Sequence, residues 1–119
     1  MICFDTYALA EISKGNPKFS KYMDGDFVIT DITLAEFYGI ILREYDERTA
    51  DYWLKKLSPY SKQVSKEILI EAIKFRHENK KKNLSFFDCV GYIFAVKNKF
   101  KFLTGDKEFE NLADVEFVK

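Results

Sequence analysis

The segment Leu84–Asp106, LSFFDCVGYIFAVKNKFKFLTGD, decides how this chain folds. Ser85 is a residue type that caps helices, and a helix is expected from there to about Lys97. Phe100–Thr104 reads as a strand. A helix that carries Asp88 in its first turn travels about 20 Å at 1.5 Å per residue. A strand of four or five residues returns about 15 Å. Asp106 therefore comes back towards Asp88, although 18 positions separate them.

The same alternation extends outward in both directions. Ile2–Phe4 is expected as a short buried strand, with Asp5-Thr6 opening a helix to about Ser13. Gly15-Asn16-Pro17 is a turn, and Lys18–Met23 a short helix. Phe27–Ile29 is a second strand. Thr30 and Asp31 are cap candidates for a helix to about Tyr45, and Asp46–Leu57 forms its partner, stopped by Ser58-Pro59. A short strand is placed near Gln63-Val64. Ser65 caps a helix from Lys66 to about Lys80, Lys107–Asn111 is a helical turn, and Val115–Val118 is the last strand. No two strands are joined by a hairpin signal. Strands alternating with helices imply a mainly parallel sheet covered on both faces. Ligands of such sheets bind at the carboxyl ends of the strands.

With 119 residues, the chain is expected to be one domain, residues 1–119. Its 47% hydrophobic and 17% aromatic content can fill a core, which excludes a disordered chain. The net charge is zero, so no global basic field draws in nucleic acid. Cys3 and Cys89 both lie in apolar runs and are expected as buried free thiols. With one histidine and no CxxC, a His/Cys zinc site is not expected. No apolar run reaches the ~18 residues of a membrane span. A soluble, cytoplasmic protein is the expectation.

Four acids stand out against this background. Asp5 ends the apolar run Ile2–Phe4. Glu36 is the only charge in ITLAEFYGIIL, residues 32–42, and Asp88 the only charge in LSFFDCVGYIFAV, residues 84–96. Asp106 follows Phe102-Leu103 through Thr104-Gly105. Each has an ordinary reading. Asp5 can cap a helix, and Asp88 can complete a Ser85-x-x-Asp88 capping box. Asp106 can be a turn residue, and Glu36 can pair with Arg43 or a lysine. Jointly, however, all four fall at one edge of the expected sheet. Four clustered carboxylates repel one another unless some protonate or a cation intervenes. Hard divalent cations prefer oxygen ligands, and one or two Mg²⁺ ions can polarise a phosphodiester and activate water. Metal-assisted phosphodiester hydrolysis is the chemistry these residues imply.

Three pieces in order, ICFDTYAL, TLAEF and SFFDCVGYIFAVKNKFKFLTGDKEF, resemble the PIN-domain ribonuclease family, and within it the VapC-type toxins of VapBC toxin–antitoxin pairs. The resemblance covers essentially the whole chain. It implies a three-layer α/β/α sandwich, dependence on Mg²⁺ or Mn²⁺, and endonucleolytic cleavage of RNA. Asp5, Glu36, Asp88 and Asp106 match the family's four acids. By that match, Asp5, Glu36 and Asp88 hold the principal ion, and Asp106 binds a metal or positions the attacking water. Thr6 and Thr104 match polar positions beside the site. Tyr7 departs from the family, where many members carry a small or amide residue, and is expected to alter the site's rim. The resemblance also implies a cognate antitoxin whose peptide blocks the site, and a homodimer.

Lys74, Arg76, His77 and Lys80–Lys82 form the densest basic stretch, read either as a solvated helix end or as a phosphate-contacting patch. His77 is expected at the surface. Phe19, Tyr22, Phe37, Tyr38, Tyr45, Tyr52 and Trp53 are an aromatic excess, mostly core, with some free to form a partner groove or dimer face. Three other functions compete with a toxin. A housekeeping RNA-processing nuclease differs in gene context: a toxin has a small antitoxin gene beside it. A non-catalytic PIN-like module has no physical reason to keep four clustered acids. A phosphoacceptor domain needs a pair of acids after the first strand, and only Asp5 stands there.

Overall fold

The computed structural model of the chain describes residues 1–119. Five strands form one parallel sheet: β1 Ile2–Phe4, β2 Phe27–Thr30, β3 Ser61–Lys62, β4 Lys101–Thr104 and β5 Val115–Phe117, in the order β3-β2-β1-β4-β5. Cys3 pairs with Val28 on one side and Phe102 on the other, and Phe4 with Leu103. Successive side chains point to opposite faces of a strand. Phe4, Phe27, Ile29 and Leu103 accordingly enter one core, and Cys3, Val28 and Phe102 the other. A phenylalanine buried as fully as Phe4 or Phe102 contributes about 1.5–3 kcal/mol.

Six helices cover the two faces. Helices α1 (Thr6–Ser13), α2 (Pro17–Ser20), α3 (Asp31–Glu44) and α4 (Glu47–Leu57) supply Leu9, Ile12, Phe19, Phe37, Ile41 and Leu57 to the first core. Helices α5 (Lys66–Glu78) and α6 (Phe86–Lys97) supply Ala72, Val90, Tyr92 and Phe94 to the second. There Phe109 meets Tyr92 and Phe102 in tilted contacts, Tyr92 meets Phe102 edge-on, and the Tyr92 hydroxyl donates to the Ala113 carbonyl at 2.8 Å. All six helices start on side-chain caps: Asp5, Thr30, Asp46, Ser65 and Ser85 each accept a backbone N–H three residues on, and Asn16 one two residues on. Each cap is worth about 1 kcal/mol. Helix α6 lies close to the sheet because Gly91 has no side chain; a Cβ there would stand 3.0 Å from the Phe102 ring.

The three-layer α/β/α arrangement with a parallel sheet agrees with the sequence reading. Two local details differ. The short strand lies at Ser61–Lys62 rather than Gln63-Val64. It is a two-residue edge strand without an apolar alternation to mark it. Lys18–Met23 divides into α2 and a 3₁₀ turn over Lys21–Asp24. Both cysteines are buried free thiols, as expected. No helix is long and apolar enough to cross a membrane.

The strand order fixes where a ligand can enter. From β1 the chain moves outward through β2 and β3, then returns to the other side of β1 for β4 and β5. The crevice at such a reversal, beyond the carboxyl ends of the central strands, is the natural binding place of an open parallel sheet. Here it lies beyond the carboxyl ends of β1 and β4, where Asp5 and Thr104–Asp106 stand.

Candidate active site

Asp5 follows β1 directly, and its N–H continues the ladder to the Leu103 carbonyl at 3.2 Å. Its Oδ1 caps α1 by accepting the Ala8 N–H at 2.7 Å. The residue is 1% exposed, and its Oδ2 has no hydrogen-bond partner. Asp88 sits in the first turn of α6, where its N–H donates to the Ser85 hydroxyl at 3.1 Å. Its Oδ1 is likewise buried and unpartnered. These two atoms are the only buried side-chain oxygens or nitrogens in the chain left without a partner. Buried polar groups are nearly always hydrogen-bonded, and an orphan costs about 1–3 kcal/mol.

The charges show that the four acids share one place. Burial first, and then the charge of Asp88, push the Asp5 carboxyl well above its ordinary range, and Asp106 adds to the rise. The Thr104 hydroxyl and the Ala8 N–H pull the other way. Thr104 lies near enough to favour the charged form, yet no donor reaches Oδ2 in hydrogen-bonding geometry. Asp88 is pushed up to about 7 by burial, then by the Glu36 and Asp106 charges, with Ser85 opposing. Asp88 thus feels Glu36 and Asp106, and Asp5 feels Asp88 and Asp106.

Glu36 is half-buried on α3 and accepts a hydrogen bond from the Thr6 hydroxyl. The Arg43 pairing open to it in the sequence does not form; the only ion pair in the chain is Lys14–Glu11, at 3.4 Å. Asp106 caps a 3₁₀ turn over Lys107–Phe109 by accepting the Glu108 N–H at 3.0 Å, and its own N–H donates to Thr104 Oγ1 at 3.0 Å. As the side chains stand, no three carboxylates, thiols or imidazoles are spaced to hold one ion. Glu36 is turned to Thr6, and Asp5 and Asp106 each use one oxygen on a cap. The donor set itself, hard oxygens with two buried lone acceptors, fits a hard divalent cation.

Sequence reasoning missed the residues that hold this arrangement. Thr33 is buried, and its N–H and hydroxyl both meet Thr30 Oγ1, at 3.0 and 3.1 Å. The Thr33 hydroxyl also lies 3.5 Å from where a Gly91 Cβ would be. Thr33 stands one turn before Glu36, and Gly91 one turn after Asp88. The two residues face each other where α3 passes α6, beside both acids. The Thr-x-x-Thr cap spacing was a readable signal for the first half of this, and nothing in the sequence marked the second. Gly105 leaves no room for a side chain: a Cβ there would collide with Tyr7 Cε1 and stand 2.8 Å from the Val118 carbonyl oxygen. His77 is exposed at the end of α5, as expected.

Known structures share this architecture. The VapC20 toxin of Mycobacterium tuberculosis, which cleaves the sarcin–ricin loop, superposes with a TM-score of 0.83 at 17% identity, covering 100% of both chains. A toxin–antitoxin complex from Klebsiella pneumoniae gives 0.77 at 19% identity, over 98% of this chain and 96% of that one. DNA-bound VapBC from Salmonella typhimurium gives 0.77 at 15%, with the same coverage. At these identities the likeness is one of fold. No curated protein matches the sequence. The family model of the PIN domain matches residues 2–115, so the chain belongs to the PIN domain family.

Proposed function

We propose that this chain is a metal-dependent endoribonuclease, hydrolysing RNA phosphodiester bonds with Mg²⁺ or Mn²⁺, and that it is the toxin of a toxin–antitoxin pair. The observation that carries the nuclease reading is the pair of orphaned oxygens, Asp5 Oδ2 and Asp88 Oδ1, in mutually repelling buried carboxylates at the sheet's reversal point. A divalent cation relieves both the repulsion and the missing hydrogen bonds while leaving the carboxylates charged.

In this reading Asp5 and Asp88 are the principal ligands, and Glu36 joins them directly or through water. A divalent ion there supplies Lewis acidity to a phosphoryl oxygen and lowers the pKa of bound water. Asp106 has one oxygen held by the Glu108 N–H and the other free to orient the attacking water. Thr104 keeps Asp106 in place through its backbone N–H, and Thr6 holds Glu36. The toxin assignment rests on the family and on the VapBC complexes among the similar folds.

The test is cleavage of a mixed-sequence RNA by purified protein with Mn²⁺, with Mg²⁺ or with EDTA, beside the Asp88→Asn variant. Cleavage that needs both metal and Asp88 is the expected result, with the variant at least ~100-fold slower. Cleavage that survives EDTA, or survives the variant, would remove the metal site from the account.

A further inference from the structure

Two grooves meet beside the acid cluster. The first, about 390 Å³, is lined by Tyr7, Asn83, Gly105, Asp106, Lys107 and Lys119, among others. The second, about 490 Å³, lies at the end of α5 and is lined by Arg76, His77, Lys80 and Lys82, with Asn83 in its wall as well. Asn83 therefore belongs to both. Lys82 joins them a second time: its Nζ donates at 3.1 Å to the carbonyl of Glu108, which lines the first groove. In a chain of zero net charge, five cations (Arg76, Lys80, Lys82, Lys107 and Lys119) line this one trough, against two acids, Asp106 and Glu108.

Tyr7 stands at the inner end. Its ring rests on Gly105 through Cε1 and Cζ, where any side chain would collide with it. Phe19 backs it at 5.8 Å in a tilted contact, and the residue remains 37% exposed. The Lys119 ammonium lies over the ring, 5.9 Å from its centroid, so a base stacking on that face displaces it. An aromatic platform fixed by packing, flanked by cations and an amide, is the combination that holds a single-stranded nucleotide. The base stacks on the ring, the lysines take the phosphates, and the amide of Asn83 can both donate and accept at a base edge. Asp106 lines the same groove, so a nucleotide held there reaches the edge of the acid cluster.

We propose that single-stranded RNA reaches the acid cluster along this trough, with Tyr7 as the base-stacking platform next to the scissile phosphate and Lys80 and Lys82 as phosphate contacts farther out. The proposal rests on the nuclease reading and specifies how its substrate is positioned. Tyr7 is a positioning residue and takes no part in bond cleavage.

The experiment is fluorescence anisotropy with a labelled single-stranded RNA of about 12 nucleotides. The parent is Asp88→Asn, which leaves the RNA uncut. On it are placed Tyr7→Ala, Tyr7→Leu, Tyr7→Phe and the pair Lys80→Ala/Lys82→Ala, with a thermal melt of each. Tyr7→Leu keeps apolar bulk over Gly105 without a π face and serves if Tyr7→Ala fails to fold. Tyr7→Ala and Tyr7→Leu are expected to weaken binding by about 5- to 150-fold with an unchanged salt dependence, and Tyr7→Phe to stay within about twofold. The lysine pair is expected to reduce the slope of log affinity against log salt by about 1.4. Tyr7→Leu and the lysine pair both binding like the parent would overturn the trough while wild-type cleavage still upheld the nuclease. A parent that binds no RNA, with a wild type that cuts none, would overturn both together.

Discussion

Asp5 answers two demands with one carboxyl group. Oδ1 caps α1, and Oδ2 is left buried with nothing to bond. Asparagine can serve the cap as well as aspartate does. Asp5→Asn should therefore keep α1 and lose only what Oδ2 is for. Asp88 gives a pH dependence with a definite sign. Its ordinary value is 3.8 and its folded value about 7, so between those limits the native state binds a proton that the unfolded state does not. Ion-free stability should be highest near the lower limit and fall as pH rises through about 7. Urea melts of metal-free protein at about pH 5 and pH 8 measure this, and Asp88→Asn should reduce the difference, the remainder belonging to Asp5, whose carboxyl is raised by burial in the same direction. A wild type equally stable at both values would contradict the burial of Asp88. These acids were legible in the sequence because each is a lone charge in an apolar run. Which oxygen each has to spare was not, since that depends on the caps. Glu36 was offered Arg43, seven residues on and about 10 Å along the helix. It takes Thr6 instead, a contact only the fold can bring about.

At the scale of elements, the segment Leu84–Asp106 was readable because helix and strand lengths alone return the chain to the sheet edge. Helix α6 and β4 lie within a residue of where the sequence placed them. Capping residues fixed the starts of α3, α5 and α6 for the same reason: a side-chain oxygen three residues before a free N–H is a local signal. β3 was misplaced by two residues because a polar edge strand has no periodicity to find. The junction between β4 and β5 was hidden too. There the Tyr7 ring and the Val118 carbonyl occupy the space a Gly105 side chain would need. Gly105→Ala should cost about 2 kcal/mol or more, since the backbone oxygen cannot yield as a side chain can. Adding Tyr7→Ala should recover only part of the loss. Denaturant unfolding of the single and double variants checks both statements, and a Gly105→Ala protein as stable as wild type would mean that Tyr7 does not rest there.

The whole molecule presents two faces with different chemistry. The acids and the basic trough lie beyond the strand ends. Elsewhere an apolar groove of about 410 Å³ is lined by Leu34, Ala35, Tyr38 and Leu54 of α3 and α4, with Leu42, Tyr45 and Tyr52 exposed on the same helices. Of the aromatic excess seen in the sequence, Phe19 and Phe37 are core, Tyr22, Tyr38 and Trp53 are partly buried against it, and Tyr45 and Tyr52 are exposed. If the chain is a toxin, an amphipathic segment of the antitoxin is expected to pack here. Alanine at Tyr52 and Trp53 should then weaken that complex by about tenfold or more in a titration, and unchanged affinity would send the partner elsewhere. The account as a whole turns on whether the buried acids take a cation. The direct measurement is calorimetric titration of Mn²⁺ into metal-free wild type and Asp5→Asn at about pH 7, in two buffers of different protonation enthalpy. The expected result is saturable binding with proton release by the wild type, lost in a variant that still melts cooperatively. No binding by the wild type, or the same binding by both proteins, would contradict it.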